Sequence, residues 1–180
     1  DFIEDDNVAL ILGDNIFFGA NIQGKLLEAK NRDSGATIFT YRVDDPKRFG
    51  VATFNSDGSI KNIDEKPENP NSDYAVTGLY FYDNNVIEIS KSLSPSDRGE
   101  LEITDVNNKY IEEKKLYGER LSSGYAWLDT GTFESLMQAN SFIQTIEVRQ
   151  GIKIACLEEI AYNNDWIDKE ILLSQASRFS

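Results

Sequence analysis

The chain has 180 residues with a 40% hydrophobic share, enough for one globular domain with a core, and no apolar stretch approaches the roughly 18 residues of a membrane span. Its formal charge of −13, from 18 basic and 31 acidic residues, argues against nucleic acid and anionic membranes as partners. It has no histidine and a single cysteine, Cys156, which excludes Ser-His and Cys-His nucleophiles, histidine-bound zinc or iron and an internal disulfide.

Chemistry here must therefore run on carboxylates, Lys, Arg, backbone groups and hard metals. An anionic small substrate is compatible with the charge if Mg²⁺ and a few local cations offset the field. With no basic-then-apolar leader, the sequence reads as a soluble cytoplasmic protein. It opens on Asp1, and its one methionine is Met137, so we expect a piece of a longer protein.

Val8 to Asn15 is an apolar run that ends on Gly13, Asp14 and Asn15. Such a run predicts a central strand buried on both faces. Asp14 then sits at its carboxyl end, where open α/β sheets bind ligands. It is either a metal or hydroxyl ligand or part of an Asp-Asn turn that stops the strand.

Ile16 to Asp33 carries Ile22, Leu26, Leu27 and Ala29 at helical spacing, with Gly35 as a stop, and Ala36 to Val43 reads as a strand. This order predicts a βαβ unit with a right-handed crossover. Gly50 to Phe54 and Ser59 to Asp64 flank the turn Asn55-Ser56-Asp57-Gly58 and predict a hairpin. The triplet Glu65-Lys66-Pro67 follows. In extended backbone Glu65 and Lys66 point to opposite faces, so one meets a neutral hydroxyl ligand while the other reaches elsewhere, unless the strand twists at its end. A solvated, charged strand end is the alternative.

Tyr74 to Tyr82 is a second aromatic-rich strand, in which Gly78 marks either the close approach of a ligand or backbone, or simple packing. Val86 to Leu93 reads as a short helix closed by Ser94-Pro95. Arg98 lies in a glycine-flexed acidic loop, where its guanidinium either closes on an oxyanion or pairs at the surface with Glu100 or Glu102. The next helix presents Val106, Tyr110 and Ile111 on one face, with Thr104 or Asp105 as its cap.

Leu116 to Leu121 and Gly124 to Leu128 read as strands, and the second runs into Asp129. A second apolar strand ending in an aspartate suits an octahedral Mg²⁺ site shared with Asp14, because Mg²⁺ takes one or two carboxylates plus phosphates and water. This favours the ligand reading of Asp14. Thr132 to Gln150 predicts a helix with Ala139, Phe142, Ile143 and Ile146 on one face. A strand over Ile152 to Cys156 and two helical stretches through Ile160 and Ile171 complete the chain. We divide it into residues 1–150, carrying the site, and 151–180, a helical segment for packing or oligomer contact.

Six blocks together resemble the sugar-1-phosphate nucleotidylyltransferases: Leu-Gly-Asp-Asn at 12–15, Arg-Phe-Gly-Val at 48–51, Glu-Lys-Pro at 65–67, Tyr-Ala-Val-Thr-Gly-Leu-Tyr-Phe-Tyr-Asp at 74–83, Arg-Gly-Glu-Leu-Glu-Ile-Thr-Asp at 98–105 and Tyr-Ala-Trp-Leu-Asp-Thr-Gly-Thr at 125–132. The resemblance is greatest to the branch that joins dTTP to α-D-glucose 1-phosphate and covers nearly the whole chain. It implies a Rossmann-like α/β fold with a mixed sheet, and a reaction giving dTDP-glucose and pyrophosphate on the way to dTDP-L-rhamnose. By the same resemblance Asp14 and Asp129 hold Mg²⁺, Glu65 accepts from sugar hydroxyls, and Lys66 and Arg98 contact phosphate. Gly50 and Val76 give backbone contacts to the hexose, Trp127 walls the pocket, and the assembly is a homotetramer.

The family opens on a strand leading into a Gly-rich loop with an arginine and then a lysine, and residues 1–15 show nothing like it. We therefore expect the first strands to be missing, and a chain that keeps most of the sugar-phosphate half-site without catalysing on its own. Two other expectations stay open: a relative that uses UTP or CTP, and a non-catalytic fragment that binds sugar phosphates or serves assembly.

Overall fold

A period of two along two strands builds the core. In β3 (Ala36–Arg42) and β6 (Tyr74–Tyr82), Ile38, Tyr80 and Tyr82 enter one apolar cluster, while Phe39 and Leu79 enter another. Successive side chains point to opposite faces of a sheet, so this sheet carries a core on both sides. Helices α2 (Val86–Ser92) and α3 (Ile103–Glu112) cover the first through Val86, Ile89, Val106 and Tyr110. Helix α1 (Ile22–Lys30) covers the second through Ile22, Leu26 and Ala29.

This computed structural model describes residues 2–96 and 99–177, so Arg98 lies outside the described residues. They fall into two compact units, 1–131 and 132–180. In the first, β5 (Ile60–Glu65), β4 (Gly50–Phe54), β6, β3 and β7 (Leu116–Leu121) lie side by side in that order, and β1 (Val8–Ile11) also pairs with β6. The β3–β7 pair is parallel and the others are antiparallel, giving the expected mixed α/β sheet. Strands β1 and β3 run parallel, as a strand-helix-strand unit requires, but β6 lies between them.

One edge of β6 is shared. Strand β4 meets it at Ala75 and β1 meets it from Leu79 to Tyr82, which leaves an interval at Thr77 and Gly78. A separate two-stranded ribbon pairs β2 (Asn15–Gly19) with β8 (Tyr125–Asp129), and the functional side chains gather beside that interval.

Four expectations need correction. The helix predicted from Ile16 starts at Ile22: residues 15–19 find partners in β8, and Asn21, at φ 63°, turns the chain between strand and helix. The run from Val8 is not buried on both faces, since Leu10, Ile11 and Leu12 are 39%, 57% and 41% exposed and β1 pairs on one edge among the described residues. Helix α3 begins at Ile103 without a side-chain cap, because the Thr104 hydroxyl is turned to another partner described below. Residues 152–156 form no strand, and Ala155 there has φ 54°.

In the second unit, α4 (Phe133–Gln150) starts from a reciprocal Thr132–Ser135 capping box and stops at Gly151, whose φ of 67° suits a residue without a Cβ. It is followed by α5 (Leu157–Asn163) and α6 (Lys169–Ala176). Among the described residues no helix is long and apolar enough to cross a membrane.

Candidate active site

The ribbon brings the two aspartates together. Asn15 and Asp129 are register partners, and the Thr130 backbone N–H and hydroxyl both donate to the Asp14 carbonyl, at 2.8 and 3.0 Å. Asp14 Oδ2 and Asp129 Oδ1 lie 3.5 and 3.1 Å from the point where a Cβ on Gly131 would sit. Glycine at 131 therefore leaves a space onto which both carboxylates face. Each carboxylate has a polar neighbour: the Asn15 amide donates to Asp14 Oδ1 at 2.8 Å, and Arg48 Nη2 pairs with Asp129 Oδ2 at 3.1 Å.

This donor set fits Mg²⁺ in one specific sense. Among the described residues no group of three or more Asp, Glu, Cys or His side chains gathers, so there is no all-protein cage. Two carboxylates facing an open space are what Mg²⁺ uses when substrate phosphates and water complete its octahedron.

The second half of the site lies where β4 and β5 end. Gly50 is the register partner of Glu65, and a Cβ on it would sit 3.4 Å from Glu65 Oε2 and 3.3 Å from Thr104 Oγ1. Thr104, 5% exposed, donates its hydroxyl to Glu65 Oε2 at 2.6 Å. Lys66 does not continue the strand. Its φ is 42°, left-handed for a non-glycine residue, while its N–H is held by the Phe49 carbonyl at 3.1 Å. The expected alternation therefore breaks, and Glu65 and Lys66 line the same cavity with Nζ 3.9 Å from Oε1.

Trp127, 9% exposed, forms a wall between the halves. Phe49 and Tyr41 meet its ring edge-on, at centroid distances of 5.0 and 6.1 Å. Its indole N–H donates to Asn15 Oδ1 at 2.6 Å, and the same oxygen accepts the Gly78 N–H at 3.0 Å. A Cβ on Gly78 would meet the Asn15 amide at 2.7 Å, so the mid-strand glycine accommodates this side chain in the interval on β6.

One cavity of about 260 Å³, near the lower end of the ~300–1,000 Å³ usual for small-molecule sites, is lined by Asp14, Gly50, Glu65, Lys66, Val76, Trp127 and Asp129. Every described site residue singled out from the sequence lines it. Arg48, Asn15, Tyr80 and Thr104 line it too and were not singled out. Arg48 and Asn15 stood inside quoted blocks, but neither block shows what its side chain would meet. A larger hollow of about 410 Å³ beside Arg32 and Asp83 contains none of the described residues that were predicted for the site. There the Asp83 carboxylate already accepts from the Gly35 N–H at 2.6 Å and the Tyr110 hydroxyl at 2.7 Å.

The family model described as nucleotidyl transferase matches residues 1–146. The chain belongs to the nucleotidyl transferase family. Its relatives include proteins named glucose-1-phosphate thymidylyltransferase from Neisseria meningitidis serogroup A, 53% identical over 96% of this chain and 60% of that protein, and from Mycobacterium tuberculosis H37Rv, 50% identical over 95% and 59%. The chain thus spans about 60% of the length of the curated relatives it matches.

Among solved nucleotidyl transferase structures, a Bacillus anthracis protein assigned as a glucose-1-phosphate thymidylyltransferase, in complex with a sucrose, superposes with a TM-score of 0.70 at 45% identity, covering 78% of this chain and 56% of that one. UDP-glucose pyrophosphorylase complexed with UDP-glucose gives 0.67 at 22% identity, covering 80% and 59%, and that likeness speaks to the fold alone. The Rossmann-like, mixed-sheet architecture expected from the sequence is the architecture of this family.

Proposed function

We propose that this chain is the sugar-phosphate- and metal-binding part of a glucose-1-phosphate thymidylyltransferase, which joins dTTP and α-D-glucose 1-phosphate into dTDP-glucose and pyrophosphate. The observation that carries this reading is the single cavity in which two facing aspartates, Asp14 and Asp129, share walls with Glu65 and Lys66. Relatives at about 50% identity with that name support the choice of base and sugar.

In the reaction an oxygen of the sugar phosphate attacks the α-phosphorus of dTTP, and the bond from that phosphorus to the bridging oxygen breaks as pyrophosphate leaves. A phosphate monoester with a second pKa of about 6 is already ionised at neutral pH, so a histidine-free site needs no general base. What remains is positioning and charge neutralisation. Glu65, held by Thr104, offers its other carboxylate oxygen to a sugar hydroxyl. Lys66 sets an ammonium at the phosphate end of the sugar, and Trp127 excludes water along one wall. Asp14 and Asp129 would hold Mg²⁺, which when bound supplies positive charge for the phosphates.

The product would feed dTDP-L-rhamnose synthesis, in a cytoplasmic enzyme that works as a tetramer with its nucleotide-gripping loop on segments outside this sequence. Calorimetry of the chain with glucose 1-phosphate and Mg²⁺ tests the reading, with saturable heat expected for the sugar phosphate. No heat with either would leave only an assembly role. In the full-length protein, Asp129→Asn is expected to abolish pyrophosphate release with the fold intact, and normal turnover in that variant would sink the two-aspartate metal site.

A further inference from the structure

Arg48 and Lys66 are the cationic side chains that line the cavity among the described residues, against three carboxylates, Asp14, Glu65 and Asp129. The described lining is net negative, so each added positive charge near a sugar phosphate favours its entry. We propose that Arg48 is a further phosphate-binding residue: its guanidinium, paired with Asp129 in the structure, transfers to phosphate oxygens when a divalent cation takes the two aspartates. This rests on the reading of the cavity as a sugar-phosphate and metal site.

The pair is built to be exchanged. It is a single contact, Nη2 to Oδ2 at 3.1 Å, between an Arg48 side chain that is 49% exposed and an Asp129 side chain that is 17% exposed. Single-contact pairs with an exposed partner contribute a factor of about five to an equilibrium. A doubly charged cation on the same carboxylate removes the attraction that holds the guanidinium and adds repulsion between like charges.

The backbone beneath Arg48, by contrast, is fixed. It ends a short 3₁₀ turn over Pro46–Arg48, closed by the Phe49 N–H on the Pro46 carbonyl at 3.0 Å, and the neighbouring Phe49 ring is wedged on Trp127. The side chain can therefore swing within the cavity without moving its anchor. A planar guanidinium offers two parallel N–H donors to a phosphate, a match an ammonium lacks.

The competing role is a buttress that merely keeps Asp129 in place, and the two roles differ in sign. If Arg48 competes with the metal, Arg48→Ala binds Mn²⁺, read by the electron paramagnetic resonance of the free ion, about two- to five-fold tighter than the wild type. The same variant then binds glucose 1-phosphate at least about tenfold weaker by calorimetry at saturating Mn²⁺, since a charged hydrogen-bond donor is lost. Arg48→Lys, which keeps the charge and is a milder change for folding, is expected to leave Mn²⁺ affinity near that of the wild type and to weaken glucose 1-phosphate several-fold.

Weaker Mn²⁺ binding by Arg48→Ala would establish the buttress and overturn the proposal. Unchanged glucose 1-phosphate affinity in both variants, with the wild type binding, would overturn it while leaving the cavity's assignment intact. A wild type that binds no glucose 1-phosphate would instead remove the assignment on which it rests.

Discussion

Asn15 and Trp127 are joined by a 2.6 Å hydrogen bond from the indole N–H to the amide oxygen, and that oxygen also accepts the Gly78 N–H at 3.0 Å. Both partners can only donate, so the amide cannot be reversed without setting donor against donor. Its nitrogen is thereby aimed at Asp14 Oδ1. One side chain ties the pocket wall, the interval on β6 and the Asp14 carboxylate.

Asn15→Leu conserves most of the volume but leaves the Trp127 and Gly78 N–H groups without an acceptor. At about 1–3 kcal/mol for each unsatisfied buried donor, a loss of roughly 2–6 kcal/mol in urea unfolding is expected. In a Trp166→Phe background, where Trp127 is the remaining tryptophan, its emission is expected to move to longer wavelength. A variant as stable as the wild type, with unmoved emission, would show that the bridge does not form.

The parts of this fold legible in the sequence are those decided locally. Asn55-Ser56-Asp57-Gly58 fixes the β4–β5 hairpin, and Thr132 with Ser135 fixes the start of α4, because each turn or cap is satisfied by residues a few positions away. Ile16-Phe17-Phe18 suits strand or helix equally. The choice was made by β8, whose Trp127 is the register partner of Phe17, and a short-range pattern cannot see a partner so far along the chain.

The site follows the same division. Asp14 and Asp129 stand out as strand-end carboxylates and the other expected residues through blocks that resemble a family, while Arg48 escaped because its ion-pair partner, Asp129, lies 81 positions later. Thr104 was misread as a cap for a related reason: helix-start rules count neighbours in sequence, and its hydroxyl bonds Glu65, which lies at the end of β5.

That bond supports a prediction about the Glu65 half of the cavity. Thr104→Val is nearly isosteric but deletes the hydroxyl that donates to Glu65 Oε2, leaving this carboxylate free to turn. The expected stability cost is about 1 kcal/mol, while glucose 1-phosphate affinity falls about five- to tenfold in calorimetry. Mn²⁺ affinity, which belongs to the aspartate side, is expected to stay put. Unchanged sugar-phosphate affinity would mean that Thr104 does not orient Glu65.

The last prediction concerns alkaline pH. Tyr80, Tyr82 and Tyr110 stack in sequence in the core, with centroids 5.9 and 5.7 Å apart. Burial pushes all three phenols well above their ordinary value near 10; the Glu65 carboxylate adds to this at Tyr80, and Asp83, which accepts the Tyr110 hydroxyl at 2.7 Å, adds to it at Tyr110. A phenol whose folded pKa is raised contributes its full stability below pH 10 and loses it above, because the unfolded chain ionises there and the folded chain does not. Each such group costs about 1.4 kcal/mol per pH unit, so the three together would remove up to ~4 kcal/mol per unit above pH 10. Urea unfolding between about pH 9 and pH 11.5 reads this directly, and phenolate absorbance of these three tyrosines is expected to appear together with unfolding. Tyr82→Phe would make the alkaline decline shallower by about one group's share. A stability flat across that interval would show that these phenols ionise in the folded chain.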